Sequence, residues 1–181
     1  MTREFDQQLT IGLYVRADTP IVERRDAVID RLKQLDRQDR IAGFRIHPWP
    51  RAISLDLMNE IEEDEIHEVV RSFETWAAQH DRHISPPFDI HPTHSAITGE
   101  SDELLVLPVI CIAAYDAGDL VGVAPSSDGK SVRTVEDALN AIEAGKAPVP
   151  EPQPEGEASS LEREQGGSTK VTEQPLDLAT R

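Results

Sequence analysis

The run from Leu104 to Tyr115 is the long apolar stretch of the chain, and it restricts what the chain can fold into more than any other feature. It is apolar at nearly every position instead of every second one, the pattern of a strand covered on both faces. Pro108 would break a helix, and the β-branched Val106, Val109, Ile110 and Ile112 favour a strand. A bilayer span needs about 20 apolar residues, so this shorter run reads as core. Asp116–Asp119, with Gly118 free to take φ > 0, predicts a reversal into a second strand over Leu120–Ala124 and therefore a hairpin. Pro108 cannot donate to a ladder and marks a bulge or an edge-facing position.

The rest of the chain supplies cover for that hairpin. Leu9, Ile11, Leu13 and Val15 alternate with Thr10, Gly12, Tyr14 and Arg16, a half-buried strand. Thr19 offers an N-cap and Pro20 a first helical residue, and Val28, Ile29, Leu32 and Leu35 follow at helical spacing. Arg25 falls on the same stripe and must snorkel or meet a carboxylate. Phe44–Ile46 reads as a short strand, His47–Pro50 as a stiff connector, and Ala52–Leu55 as extended again. A second helix opens with Glu60, Glu62, Glu63, Asp64, Glu65 and Glu68 and closes with His80, Arg82 and His83, which suits its dipole. Ile66, Val69, Val70, Phe73, Trp76 and Ala77 form its buried face, and Pro86-Pro87 stops it. Phe88–Ile90 reads as an edge strand and His91–Glu100 as loop. After a turn at Ser126–Gly129, Thr134 and Asp137 form a capping box for a third helix carrying Val135, Ala138, Leu139 and Ile142, with Gly145 at its C′ position. The order β-α-β-β-α-β-β-β-α predicts an α+β domain, ferredoxin-like in style, with two main helices and a short third packed on a mostly antiparallel sheet over residues 1–145. Residues 146–181, rich in Pro, Glu, Gly and Ser, read as a disordered acidic tail.

Charge divides the chain. It carries 34 acidic against 18 basic residues, and 14 of the basic ones are Arg. That balance fits a protein of a salt-filled halophile cytoplasm, or more plainly any acidic soluble protein. Residues 16–51 hold nine basic against six acidic side chains, whereas residues 56–103 hold two against thirteen. Arg24, Arg31, Arg37, Arg45 and Arg51 could line a phosphate-contacting surface. Equally, they could pair with Asp26, Asp30, Asp36 and Asp39 or with the acidic second helix. Trp49, between two prolines, is either an exposed anchor for a partner or a lid on the core. His80 with His83 and His91 with His94 are the only pairs with metal-ligand spacing, and each has a plainer reading as a helix-end cation or a loop residue. The lone Cys111 excludes an internal disulfide and reads as a small buried hydrophobe. No phosphate loop, nucleophile elbow or zinc-protease helix is present, so no cofactor or catalytic residue is expected. The absence of an apolar signal region predicts a cytoplasmic chain.

Arg24–Leu32, Ile97–Glu100, Leu107–Val109, Tyr115 through Val123-Ala-Pro125, and Ser127–Gly129 with Arg133–Val135 resemble a family of small haloarchaeal proteins labelled "helix-turn-helix domain protein". The resemblance covers residues 9–145 and implies DNA binding. The residues themselves place a strand and the Pro-Trp-Pro connector after the first helix, where a helix-turn-helix would need a short turn and a second helix. The leading expectation is therefore a non-enzymatic regulatory or adaptor protein acting through protein contacts, with a homodimer through an exposed sheet edge as one form. The alternative is a DNA-associated transcriptional regulator using the Arg-rich region 16–51. A metal- or small-molecule-binding domain stands third, and no membrane contact is expected.

Overall fold

A computed structural model describes residues 9–18, 22–55, 65–84, 88–94, 99 and 101–149. Its strands are β1 (Leu9–Arg16), β2 (Ile41–Trp49), β3 (Ala52–Ser54), β4 (Asp89–His94), β5 (Ser101–Val106), β6 (Ile110–Asp116), β7 (Asp119–Ala124), β8 (Ser126–Ser127) and β9 (Val132–Arg133). Its helices are α1 (Val22–Arg37), α2 (Glu65–Gln79) and α3 (Val135–Glu143). The α+β class, three helices and mostly antiparallel pairing agree with the sequence reading. The expected helix start at Thr19-Pro20, the acidic residues 60–64, Pro86-Pro87 and residues 150–181 lie outside the described residues.

The strands form three sheets instead of one: β2-β1-β6-β7, β3-β5-β4, and the small β8-β9 pair. The apolar run therefore changes sheet partway. Ser101–Val106 belongs to the second sheet and Ile110–Asp116 to the first, with Leu107–Val109 crossing between them. Pro108 sits in that crossing, where a missing N–H costs no ladder bond, and its carbonyl accepts from Trp49 Nε1 at 3.0 Å. The crossing is fixed on both sides, by Leu107 N–H donating to Arg51 O at 2.9 Å and Arg16 N–H donating to Val109 O at 3.0 Å.

β1 and β6 form the middle of the main sheet, paired antiparallel, while β2 joins β1 in parallel. One face of this sheet packs Leu9, Ile11, Leu13, Ile110, Ile112 and Ala114 against Val28, Leu32 and Leu35 of α1 and Leu139 and Ile142 of α3. The other face packs Tyr14, Cys111, Ala113 and Val123 against Val70, Phe73, Trp76 and Ala77 of α2 and Leu105 of the second sheet. β1 is thus buried on both faces and not half-buried, as alternation alone implied. Its second face is filled by Gly12 and an aromatic ring; a Cβ on Gly12 would lie 3.0 Å from the Tyr14 ring. Burial of Cys111 agrees with the sequence reading and pushes its thiol pKa up.

Two further segments differ. His47–Trp49, expected as a connector, is the end of β2, with Val15 opposite Pro48 and Arg16 opposite Trp49. His91–His94, expected as loop, is the outer half of β4. In both, prolines suggested a break, but each strand lies at a sheet edge, where a missing N–H can face outward. Local signals fared better. Ala117 and Gly118 both take positive φ, 50° and 96°, in the two-residue β6–β7 turn. The Thr134–Asp137 capping box is formed, and α3 ends with Lys146 N–H on Ala141 O and Gly145 N–H on Ile142 O, Gly145 at φ 68°. Past Gly145, Val149 is buried in the second core and Pro148 lies over Gly122.

Trp49→Phe keeps the ring but strips the buried Pro108 carbonyl of its donor. It should lower unfolding free energy by about 1–3 kcal/mol. Thr134→Ala removes the cap and should cost about 1 kcal/mol. Both are read as a lower urea midpoint at unchanged slope.

Candidate nucleic-acid interface

The five arginines singled out by sequence do not converge. Arg24 and Arg31, seven residues apart on α1, reach across to α3, whose Glu136 and Glu143 have the same spacing. Arg24 donates to Glu136 Oε1 at 2.8 Å, and Arg31 donates to Glu143 and Asn140. These contacts clasp two helices over one core, each exposed pair contributing about 1 kcal/mol or less. Arg25 meets Asp26 at 3.1 Å, Lys33 meets Asp30 at 3.1 Å, and Arg16 meets Asp18 at 3.1 Å. None of the five arginines meets the partners expected from sequence: Asp26 and Asp30 are taken by Arg25 and Lys33, and the partners of Arg24 and Arg31 come from the third helix and not the second. The missed signal is the Glu136/Asn140/Glu143 stripe, which continues the polar face of α3.

The remaining arginines of this stretch lie before, in and after β2. Arg37 ends α1, Arg40 lies in the turn before β2, Arg45 is mid-β2 and Arg51 follows its end. All four are exposed, and their side chains make no hydrogen bond or ion pair with a described residue. Arg40 was not among the residues singled out by sequence. Among the described residues β2 is an edge strand pairing only with β1, and its nine residues extend about 30 Å at ~3.3 Å per residue. Trp49 O accepts from Ala17 N–H at 3.2 Å, so by strand alternation the backbone groups of Phe44 and Ile46 point to the open side. Three features block that edge against another strand: the bulge next to Gly43, the charge of Arg45 and the missing N–H of Pro48. His47 is exposed and stacks on Tyr14 at 4.9 Å between ring centroids. Tyr14 itself is buried, its hydroxyl 3.4 Å from that of Tyr115, and burial raises its pKa.

Trp49 is 2% exposed, so it caps the second core and is not an exposed anchor. Its ring lies edge-on to Phe88 at 5.9 Å. The histidine pairs also separate. His80 bonds Trp76 O at 2.7 Å at the end of α2, His83 exchanges backbone bonds with Ser127, His91 meets Asp89 at 3.1 Å, and His94 meets Ser101 Oγ at 3.2 Å. Among the described residues no three His, Cys, Asp or Glu side chains are grouped to hold a metal ion. A shallow hollow of about 430 Å³ beside the end of α2 is lined by Glu74, Asp81, Arg82 and His83; partial loss of water there lifts the Glu74 carboxyl pKa. Arg82, buried beside it, is shifted down for the same reason.

Residues 3–147 match a family model described as a helix-turn-helix domain. The chain belongs to that family. No curated protein and no solved structure matches the chain. In this helix-turn-helix domain the three described helices are never consecutive, each pair being separated in the chain by strands. No described helix is long and apolar enough to cross a membrane.

The α1–α3 side of the domain carries a pH signature. Backbone and side-chain hydrogen bonds from Thr134 hold the Asp137 carboxyl below its usual range. For Glu136, burial works upward, but its own backbone N–H and Arg24 outweigh it and the carboxyl is lowered. A depressed folded pKa gives stability that is present above the unfolded value of about 4 and lost as pH falls through the folded one. Asp137→Asn should therefore flatten the acid limb of the melting temperature against pH, measured from neutral pH downward.

Proposed function

We propose that this protein is a non-enzymatic, DNA-associated regulator of the cytoplasm whose contact surface is the free β2 edge with Arg37, Arg40, Arg45 and Arg51. The observation that supports this reading is that Arg45 in β2 and Arg37, Arg40 and Arg51 in the segments before and after it are exposed and have no side-chain partner among the described residues, whereas Arg24 and Arg31 are occupied by α3. Membership of a helix-turn-helix family supports the DNA partner over a purely protein-directed adaptor role. Exposed guanidinium groups suit a phosphate backbone, which they neutralise without reading base sequence. The bulge, Arg45 and Pro48 keep the same edge from being consumed by strand addition.

Fluorescence anisotropy of a duplex across a salt series tests the reading. Each phosphate contact adds about 0.9 to the slope of log K against log salt. Arg45→Ala with Arg51→Ala should weaken binding and reduce that slope by about 2. Arg24→Ala with Arg31→Ala should leave both nearly unchanged. A wild-type chain that binds no duplex at the lowest salt would remove the proposal, and a loss confined to the Arg24/Arg31 pair would move the surface to α1.

A further inference from the structure

Among the described residues the second sheet ends in a ribbon of two strands. β3 pairs β5 only over Leu104–Val106, whereas β4 continues alongside β5 out to His94 opposite Ser101. Every residue of β4 except Thr93 is exposed. Two strands alone are marginally stable in water, so such an arm gains by lying against another surface. Its carboxylates are Glu103, exposed, Asp89, exposed and 3.1 Å from the His91 imidazole, and Asp102, held by Ser54 at 3.0 Å; His91 and His94 are exposed on the same ribbon. The β2 edge is the complementary surface, with Arg45 and Arg51 exposed and without side-chain partners among the described residues. Each surface also shows one large apolar side chain to water, Ile90 at 52% and Ile46 at 48%.

We propose that the β4–β5 ribbon of one copy docks on the β2 edge of a second copy of this chain. A two-fold axis lets the two ribbons do so reciprocally, which closes a dimer with two equal contacts. Pro92 on one side and Pro48 with the bulge on the other prevent a continuous sheet, so the contact is made by side chains. The net charge of −16 repels a second copy at long range, and only a local match of opposite charges offsets it. The dimer covers Arg45 and Arg51, so self-association and DNA binding exclude each other. The dimer itself does not rest on the DNA reading, because it is measured without DNA.

Sedimentation velocity on the full chain at low salt tests it with two variants, Arg45→Glu/Arg51→Glu and Asp89→Arg/Glu103→Arg. The wild type should be a dimer and each variant a monomer with at least tenfold weaker self-association. An equimolar mixture of the two should recover dimer holding one copy of each, since both contacts are again between opposite charges. A monomeric wild type overturns the proposal, as does a dimer indifferent to either variant, or two folded variants whose mixture stays monomeric. Should a reversal variant fail to fold by circular dichroism, Arg45→Gln and Asp89→Asn replace it, and an unweakened dimer in both overturns the proposal equally.

Discussion

The antiparallel pairing of β1 with β6 is the constraint on which the remaining structure depends. Gly12 faces Ala113 and Leu13 faces Ile112, so each strand sends alternate side chains into two separate cores. Two strands buried on both faces need cover on both, and the chain provides it with α1 and α3 on one side and α2 with the second sheet on the other. The fit is close on the α2 side, where Gly12 leaves the room that the Tyr14 ring occupies. Most charged side chains lie at the sheet edges and on the outer helix faces, with His67, Arg82, Ser126 and Ser127 as buried exceptions.

Charge is therefore the informative property of the described surface. An arginine on a helix beside another helix finds a carboxylate, as Arg24 finds Glu136. An arginine on an edge strand has a strand neighbour on one side only, and among the described residues no strand lies beyond β2. The uncommitted cations therefore gather where the sheet stops. Exposed carboxylates lie likewise on the β4–β5 ribbon, another sheet edge.

The candidate surface was half legible. Arg37, Arg45 and Arg51 stood out as part of a basic stretch, but Arg24 and Arg31 stood out equally, and Arg40 was passed over. A density of arginines along a chain carries no information on which are neutralised by residues 112 positions away, as Arg24 is by Glu136. Trp49 shows the same gap from the apolar side. Flanking prolines left it open between an exposed anchor and a lid on the core; it is the lid, and its Nε1 donates to a carbonyl 59 residues later, a partner no local signal names.

What the sequence determined alone are the features whose causes lie within a few residues: the Thr134 capping box, the Gly145 helix end, the Ala117-Gly118 turn and the stripes of α1, α2 and α3. Their interactions span roughly one helical turn or one hairpin loop, so the residue types suffice. Only the tertiary structure decided that the apolar run would be cut at Pro108 and shared between two sheets, that β1 would be covered on both faces, and that β2 would be left at an edge. Those outcomes turn on which distant surfaces meet, and burial is non-directional, so the same apolar residues permit several pairings until the whole chain is packed.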